Sequence, residues 1–414
     1  MAHFVFITHG STGDVVPVIR LAESAVKQGH RATLIASHHW REASEARGIK
    51  LLPIPPEGSR EELSKLMEQY SSVRNPLTLL QAMYRHVDQW QEKIVPVLEA
   101  ALADADALAS SYLFPIYDEA ARRRGIPTIS LHFCPNTYFS KSHPPDNLPQ
   151  LPSWVPDSLR YRWNESLSAI ADRYVTKKIN QWISRDDQRL ERWLRSPSDY
   201  SLVLAPPNLY VGRPGDLPET TRFTGFVSGG ISSDSASPAP TISRGPLLTF
   251  GSVTNDAMVR EFRHLYEAWP KNFPLTIQAG WFSPPKPPEN KSITVIGPCP
   301  HGDLFPQASM IIHHGGAGTT TSAFLAGRPQ IIIPHFADQP YWARTVKALH
   351  CGAQLRRRGW GWKLPAAAEK IHADPEFQHC AREFAAEQAP RNGADEGIRQ
   401  IEDWISSGAA RRAT

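Results

Sequence analysis

The chain has 414 residues, 41% of them hydrophobic and 21% charged, with a formal net charge of +4; this is the make-up of a folded globular protein, and the length suits two lobes of roughly 200 residues each. A mean hydropathy of −0.37 and the lack of any run of about 18 apolar residues exclude a membrane span, and Lys and Arg are too dispersed among Asp and Glu to form the basic stripe of a nucleic-acid binder. Cys134, Cys299, Cys351 and Cys380 stand far apart without a C-x-x-C pair, so neither a zinc site nor a disulfide framework is expected.

From Met1 the sequence enters the apolar run 4–7 with no signal-peptide pattern, which predicts a cytoplasmic chain whose first strand begins almost at once. The turn His9-Gly10-Ser11-Thr12-Gly13-Asp14 follows. Val15, Ile19, Ala22 and Val26 then recur at helical spacing, Gly29 stands where a helix stops, and 32–35 reads as a second strand. This βαβ pattern resumes with a strand at 107–109, a helix at 117–124, the stop Gly125-Ile126-Pro127 and a strand at 128–131.

Between 140 and 195 a proline-rich loop leads into helical stretches carrying Trp154, Trp163, Trp182 and Trp193, read as an inserted helical cover whose tryptophans anchor its core or, as the alternative, form a platform for the acceptor. Their mixture with Arg and Lys also permits weak membrane-surface contact. Residues 229–244 have the Gly, Ser and Pro content of a linker. Alternation then restarts with strands at 247–250, 275–278, 293–296, 310–313 and 330–333 and a helix near 258–269. Ile398, Ile401 and Ile405 mark a last amphipathic helix. The expected organisation is an α/β chain with a first doubly wound, Rossmann-like domain over 1–228, the linker 229–244, a second such domain over 245–390, and a tail 391–414 packing back across both.

The most informative stretch is His313-His314-Gly315-Gly316-Ala317-Gly318-Thr319-Thr320-Thr321. A glycine-rich turn between a strand end and a helix N-terminus presents backbone N–H groups and the positive end of the helix dipole, which suits a phosphate. His313 can donate to a phosphate oxygen, and Thr319 and Thr320 add hydroxyls. Asp338 and Gln339, expected at the end of the next strand, offer the acceptors and donors that pair with vicinal sugar hydroxyls.

These residues resemble glycosyltransferase family 1, whose GT-B fold sets two Rossmann-like domains face to face across a central cleft and which includes sterol, glycopeptide, macrolide and rhamnolipid glycosyltransferases. The resemblance implies diphosphate contacts at His313, Gly315, Gly316, Gly318 and Thr319, with Ser252 of the loop Phe250-Gly251-Ser252 beside them, and donor-sugar contacts at Asp338 and Gln339. Pro300-His301-Gly302-Asp303-Leu304-Phe305 is similar to a family segment next to the nucleobase, without its tryptophan, and Gly280-Trp281 to a Gly-Trp pair in the same region. Gly10-Ser11-Thr12-Gly13-Asp14-Val15-Val16-Pro17 is similar to the family's first loop. It makes Asp14, otherwise a candidate helix cap, the expected general base, with His9 the second candidate.

The implied reaction is inverting transfer of a sugar, glucose by family frequency, from a UDP- or dTDP-sugar to a hydroxyl of a hydrophobic or aromatic small molecule, with no metal required. Phe114, Phe133, Tyr138 and Phe139, in loops near strand ends, are candidates to meet that acceptor. A nicotinamide oxidoreductase fits poorly, since the first turn lacks the full G-x-G-x-x-G and 35–37 offers no acidic residue for a ribose. An epimerase or a non-catalytic nucleotide-sugar-binding protein on the same fold is the alternative.

Overall fold

The computed structural model describes residues 1–55, 65–66, 68–70, 73, 75–137, 142, 151–152, 154–182, 198–227, 240–253, 257–389 and 391–408. Seven parallel strands form the first sheet: β1 (His3–Ile7), β2 (Arg31–Ala36), β3 (Lys50–Pro53), β4 (Ala107–Ser111), β5 (Thr128–His132), β6 (Tyr200–Val203) and β7 (Thr221–Phe223). Their spatial order is β3-β2-β1-β4-β5-β6-β7. The second sheet contains β8 (Pro246–Thr249), β9 (Leu275–Gln278), β10 (Ile293–Ile296), β11 (Met310–His313), β12 (Gln330–Ile332) and β13 (Gly352–Gln354) in the order β10-β9-β8-β11-β12-β13. Each order reverses direction once, between β1 and β4 and between β8 and β11, as in doubly wound sheets. Two Rossmann-like, parallel-sheet lobes are therefore present.

The central strands of the first sheet are buried along their whole length because helices cover both faces of the sheet; all five residues of β1, of β4 and of β5 are buried. The helix Thr12–Lys27 closes with Gly29 in the left-handed region at φ +87°, a backbone state that glycine adopts without strain. It seats Val18, Ile19, Leu21 and Ala22 on one face of the first sheet, and burying a side chain such as Leu21 contributes roughly 2 kcal/mol. The opposite face is covered by the helices Gln91–Ala101, Ile116–Arg122 and Asp157–Trp182. In the second lobe Trp269, Trp342 and Trp360 are fully buried.

The helix Gly393–Ser406 lies on the first lobe, with Ile398, Ile401 and Trp404 in the same core as Leu21. Ser24 donates its hydroxyl hydrogen to Asp395 at 2.5 Å. Of the expected linker, 240–244 belongs to the described residues and 229–239 lies outside them.

Of the 140–195 segment, the described part is dominated by the helix Asp157–Trp182. Two of its expected core tryptophans are not core residues: Trp154 is 82% exposed and Trp163 38%. Trp154 precedes the helix, and early in the helix it is Asn164 rather than Trp163 that is buried. Trp182 does pack inward and donates its indole N–H to Asp88 at 2.8 Å, while Trp193 lies outside the described residues. No described helix is long and apolar enough to cross a membrane.

Candidate active site

The loops that follow β1 and β4 in one lobe, and β8 and β11 in the other, open onto a shared cavity of about 1170 Å³. These are the switch points of the two sheets, where ligands of open α/β folds bind. Close apposition is built in at the helix N-termini: a Cβ on Gly318 would lie 3.9 Å from the Cα of Gly13 in the opposite lobe. Asp14, His9, Ser252, Trp281, Pro300, His301, Gly316, Gly318, Thr319, Asp338 and Gln339 all line this cavity. His313 and Gly315 do not.

His313 corrects the sequence reading. It is fully buried at the end of β11, its Nε2 sits 2.9 Å from Gln330 Oε1, and its Nδ1 accepts the Gly315 N–H at 3.1 Å. Both ring nitrogens are thus committed to holding the turn. His314, one residue on, points the other way and lines the cavity. Its Nδ1 has no partner among the described residues. Burial, with His313, His335 and His301 nearby, holds its pKa well below the ordinary value, so the ring is neutral and carries one N–H donor.

Gly315 serves the same turn from beneath. Its φ of +91° is in the left-handed region, and a Cβ there would come within 2.6 Å of the Ile332 side chain. A Cβ on Gly316 would lie 2.5 Å from His314 Nε2, so the small residue leaves the imidazole its place. The helix Ala317–Leu325 starts there, with its first-turn amides toward the cavity.

Asp338 and Gln339 are not at a strand end as expected. β12 stops at Ile332, and the pair caps and starts the helix Gln339–Ala348. Gln339 Oε1 accepts the backbone N–H groups of His335 and Phe336 at 2.7 and 3.1 Å, which fixes the loop. Asp338 accepts the indole N–H of Trp342 at 2.9 Å, and burial followed by the proximity of Asp14 lifts its pKa to about 7.

In the first lobe Asp14 is the third residue of the helix Thr12–Lys27. Its Oδ2 accepts the backbone N–H and the hydroxyl of Ser11 at 2.8 and 3.1 Å. Gly10, at φ +122°, must lack a side chain: its Cβ would sit 2.3 Å from that oxygen. Burial raises the Asp14 pKa to about 6 despite those hydrogen bonds. The cap and the cavity-lining acid are one residue. His9 is hydrogen-bonded through Nε2 to the Tyr117 hydroxyl at 2.5 Å, and enclosure lowers its pKa to about 3, which makes it a weak proton acceptor near neutrality.

Near Trp281 and Pro300, His301 stacks on Phe305 with centroids 4.2 Å apart. The backbone N–H of Trp281 donates to the Gly251 carbonyl at 2.8 Å, bringing this loop against the one that carries Ser252. The first-lobe half of the cavity is walled by apolar side chains, including Leu79, Met83, Tyr84, Phe114, Ile170 and Val175. Phe133 lines it too, whereas Tyr138 and Phe139 lie outside the described residues. Sequence reasoning missed the helix Pro76–Asp88, which supplies Leu79, Met83 and Tyr84, although its apolar spacing after Asn75-Pro76 is a helix-start signal. It also missed Tyr112 at the end of β4 and His314.

Residues 287–403 match the family described as erythromycin biosynthesis protein CIII-like, C-terminal domain. A sterol 3-beta-glucosyltransferase of Yarrowia lipolytica is 25% identical over 381 residues, 86% of this chain and 25% of that protein. An uncharacterized glycosyltransferase of Mycobacterium bovis is 25% identical over 421 residues, 92% of this chain and 94% of that one. The chain spans about a quarter to a third of the length of the sterol relatives it matches.

Among solved structures, the glycotransferase of kitacinnamycin superposes with a TM-score of 0.68 at 19% identity, covering 97% of this chain and 98% of that one. A Streptomyces sp. SF2575 glycosyltransferase complexed with thymidine diphosphate gives 0.63 at 18%, covering 97% and 100%. At these identities the structural likeness carries the fold. Two facing Rossmann-like lobes with a glycine-rich strand-to-helix turn at the cavity give the chain the GT-B fold, and the proteins it is similar to in sequence are named glycosyltransferases.

Proposed function

We propose that the protein transfers a hexose from a UDP- or dTDP-sugar to a hydroxyl of a hydrophobic or aromatic small molecule, with inversion at the anomeric carbon and with glucose as the first sugar to test. The observation that carries this is the pairing of an acid from one lobe, Asp14, with the helix N-terminus and neutral His314 of the other on a single cavity. In this reading Asp14 takes the proton of the acceptor hydroxyl as its oxygen attacks the anomeric carbon. The bond from that carbon to the diphosphate oxygen breaks, and the pair of electrons leaves with the diphosphate.

Charge growing on the leaving group meets the amides of Gly318 and Thr319, the helix dipole and the His314 N–H. Ser252 adds a hydroxyl on the same side, and Asp338 and Gln339 hold the sugar. Trp281, Pro300 and His301 border the base. Because helix and imidazole supply the counter-charge, the reading needs no resident metal ion. The thymidine diphosphate in a neighbour of the same fold supports a nucleoside diphosphate as the ligand class, and the sterol specificity of the curated relatives supports an apolar acceptor, as do Leu79, Met83 and Ile170 on the cavity wall.

The test is nucleoside diphosphate release from UDP- and dTDP-sugars crossed with sterol, phenolic, macrolide and hydroxy-fatty-acid acceptors, with the product weighed by mass spectrometry. Acceptor-dependent release and a product one sugar heavier, unaffected by EDTA, are expected. Sugar interconversion without an acceptor would make the protein an epimerase, and tight binding without turnover across the panel would make it a binding protein.

A further inference from the structure

Tyr112 immediately follows β4, and its N–H donates to the Leu131 carbonyl on β5 at 3.1 Å. Because β1 and β4 pair with Ile7 opposite Ser110, Tyr112 stands at the switch point of the first sheet, beside the turn that leads to Asp14. Its ring stacks on His132 with centroids 5.1 Å apart and planes 18° from parallel. Tyr112 and Ala317, one from each lobe, pack against the same apolar core beneath β1, so this ring sits at the seam where the lobes meet.

The ring is fixed, but its hydroxyl is not used. It makes no hydrogen bond among the described residues, it is not one of the side-chain oxygens sealed from solvent, and the residue lines the cavity. The charged groups that act on it are Asp338 from the second lobe and Asp14 from its own, with the Cys134 thiol close by. Burial and these two carboxylates keep the phenol well above its ordinary pKa, so it remains a donor at all working pH values.

Two acidic side chains acting on a phenol that lines the same cavity make a poor place for a diphosphate and a good one for a neutral polyhydroxylated ring. A carboxylate can only accept from a sugar hydroxyl, and a phenol can donate to the oxygen beside it. We propose that Tyr112 is a specificity-determining residue that donates its phenolic hydrogen bond, from the first lobe, to an oxygen of the donor hexose, while Asp338 accepts from the same ring on the other side of the cleft. This rests on the donor-site reading above and extends it: the sugar is held from both lobes, and the acceptor lobe takes part in choosing the donor.

The experiment is calorimetric titration of the wild type and Tyr112→Phe with UDP, dTDP, UDP-glucose and dTDP-glucose. Phenylalanine keeps the ring on His132, and the nucleoside diphosphates report on the intact second lobe. The expected result is unchanged affinity for UDP and dTDP and about tenfold weaker binding of the sugar nucleotides, the size of one lost hydrogen bond. Equal affinity of both proteins for UDP-glucose and dTDP-glucose overturns the assignment of Tyr112 alone. Equal weakening of UDP and UDP-glucose also overturns it, by moving the contact to the diphosphate. A wild type that binds none of the four overturns the donor-site reading itself.

Discussion

Asp14 accepts two hydrogen bonds from Ser11, which favour its ionised form, yet burial prevails and sets its pKa at about 6. A base must be ionised to accept a proton, so turnover should rise as pH climbs through about 6 and fall away below it, the direction set by a raised carboxyl pKa. A kcat/KM profile between pH 5 and 8 checks this. Asp14→Asn should abolish that limb and cost about 100-fold in kcat with nucleotide affinity little changed; a variant with normal turnover would remove Asp14 as the base. Gly10→Ala is expected to act through the same carboxylate. Its Cβ would displace Asp14 Oδ2, 2.3 Å away, and meet a backbone at φ +122°.

At the scale of elements, the alternation of apolar strands and amphipathic helices was readable where apolar residues run together, as at β1, the helix Thr12–Lys27 and β11. Three short strands were not. β3, β7 and β13 mix few apolar residues with Lys, Pro, Arg, Gly or Gln, and their strand identity comes from pairing with a neighbour. The choice between His313 and His314 was hidden for a related reason. Adjacent residues of a strand face opposite ways, so a shift of one decides which histidine meets the cavity, and the pattern His-His-Gly-Gly is silent on that register. The structure gives the two rings separable consequences. His313→Ala should lower the thermal midpoint, because it strips partners from buried Gln330 and from the Gly315 amide, at a cost of about 1–3 kcal/mol. His314→Ala should leave that midpoint nearly unchanged and weaken UDP or dTDP binding. Differential scanning fluorimetry beside calorimetric titration distinguishes them, and the reverse pattern would restore His313 to the ligand.

For the molecule as a whole, the chain returns from the second lobe to lay the helix Gly393–Ser406 on the first. The fit is close: a Cβ on Gly397 would lie 3.0 and 3.1 Å from the side chains of Leu21 and Leu202. The amphipathic spacing of Ile398 and Ile401 made this helix legible, but the acceptor side of the cavity was not. Its wall is assembled from residues as far apart in sequence as Leu79 and Val175, brought together only by tertiary packing. Since the last helix is covalently part of one lobe and buried in the core of the other, it should couple their unfolding. Ile401 is 1% exposed, and Ile401→Ala should cost about 2–5 kcal/mol. The loss arises far from the cavity, so UDP affinity in the folded protein should stay the same. A ligand that binds only the folded state raises stability in proportion to RT ln(1 + [L]/Kd). Saturating UDP should therefore raise a single calorimetric transition of the wild type, first lobe included, and raise the lowered transition of Ile401→Ala by a similar increment. Two transitions in the wild type, only one of them moved by UDP, would show that the helix rests on the first lobe without tying its stability to the second.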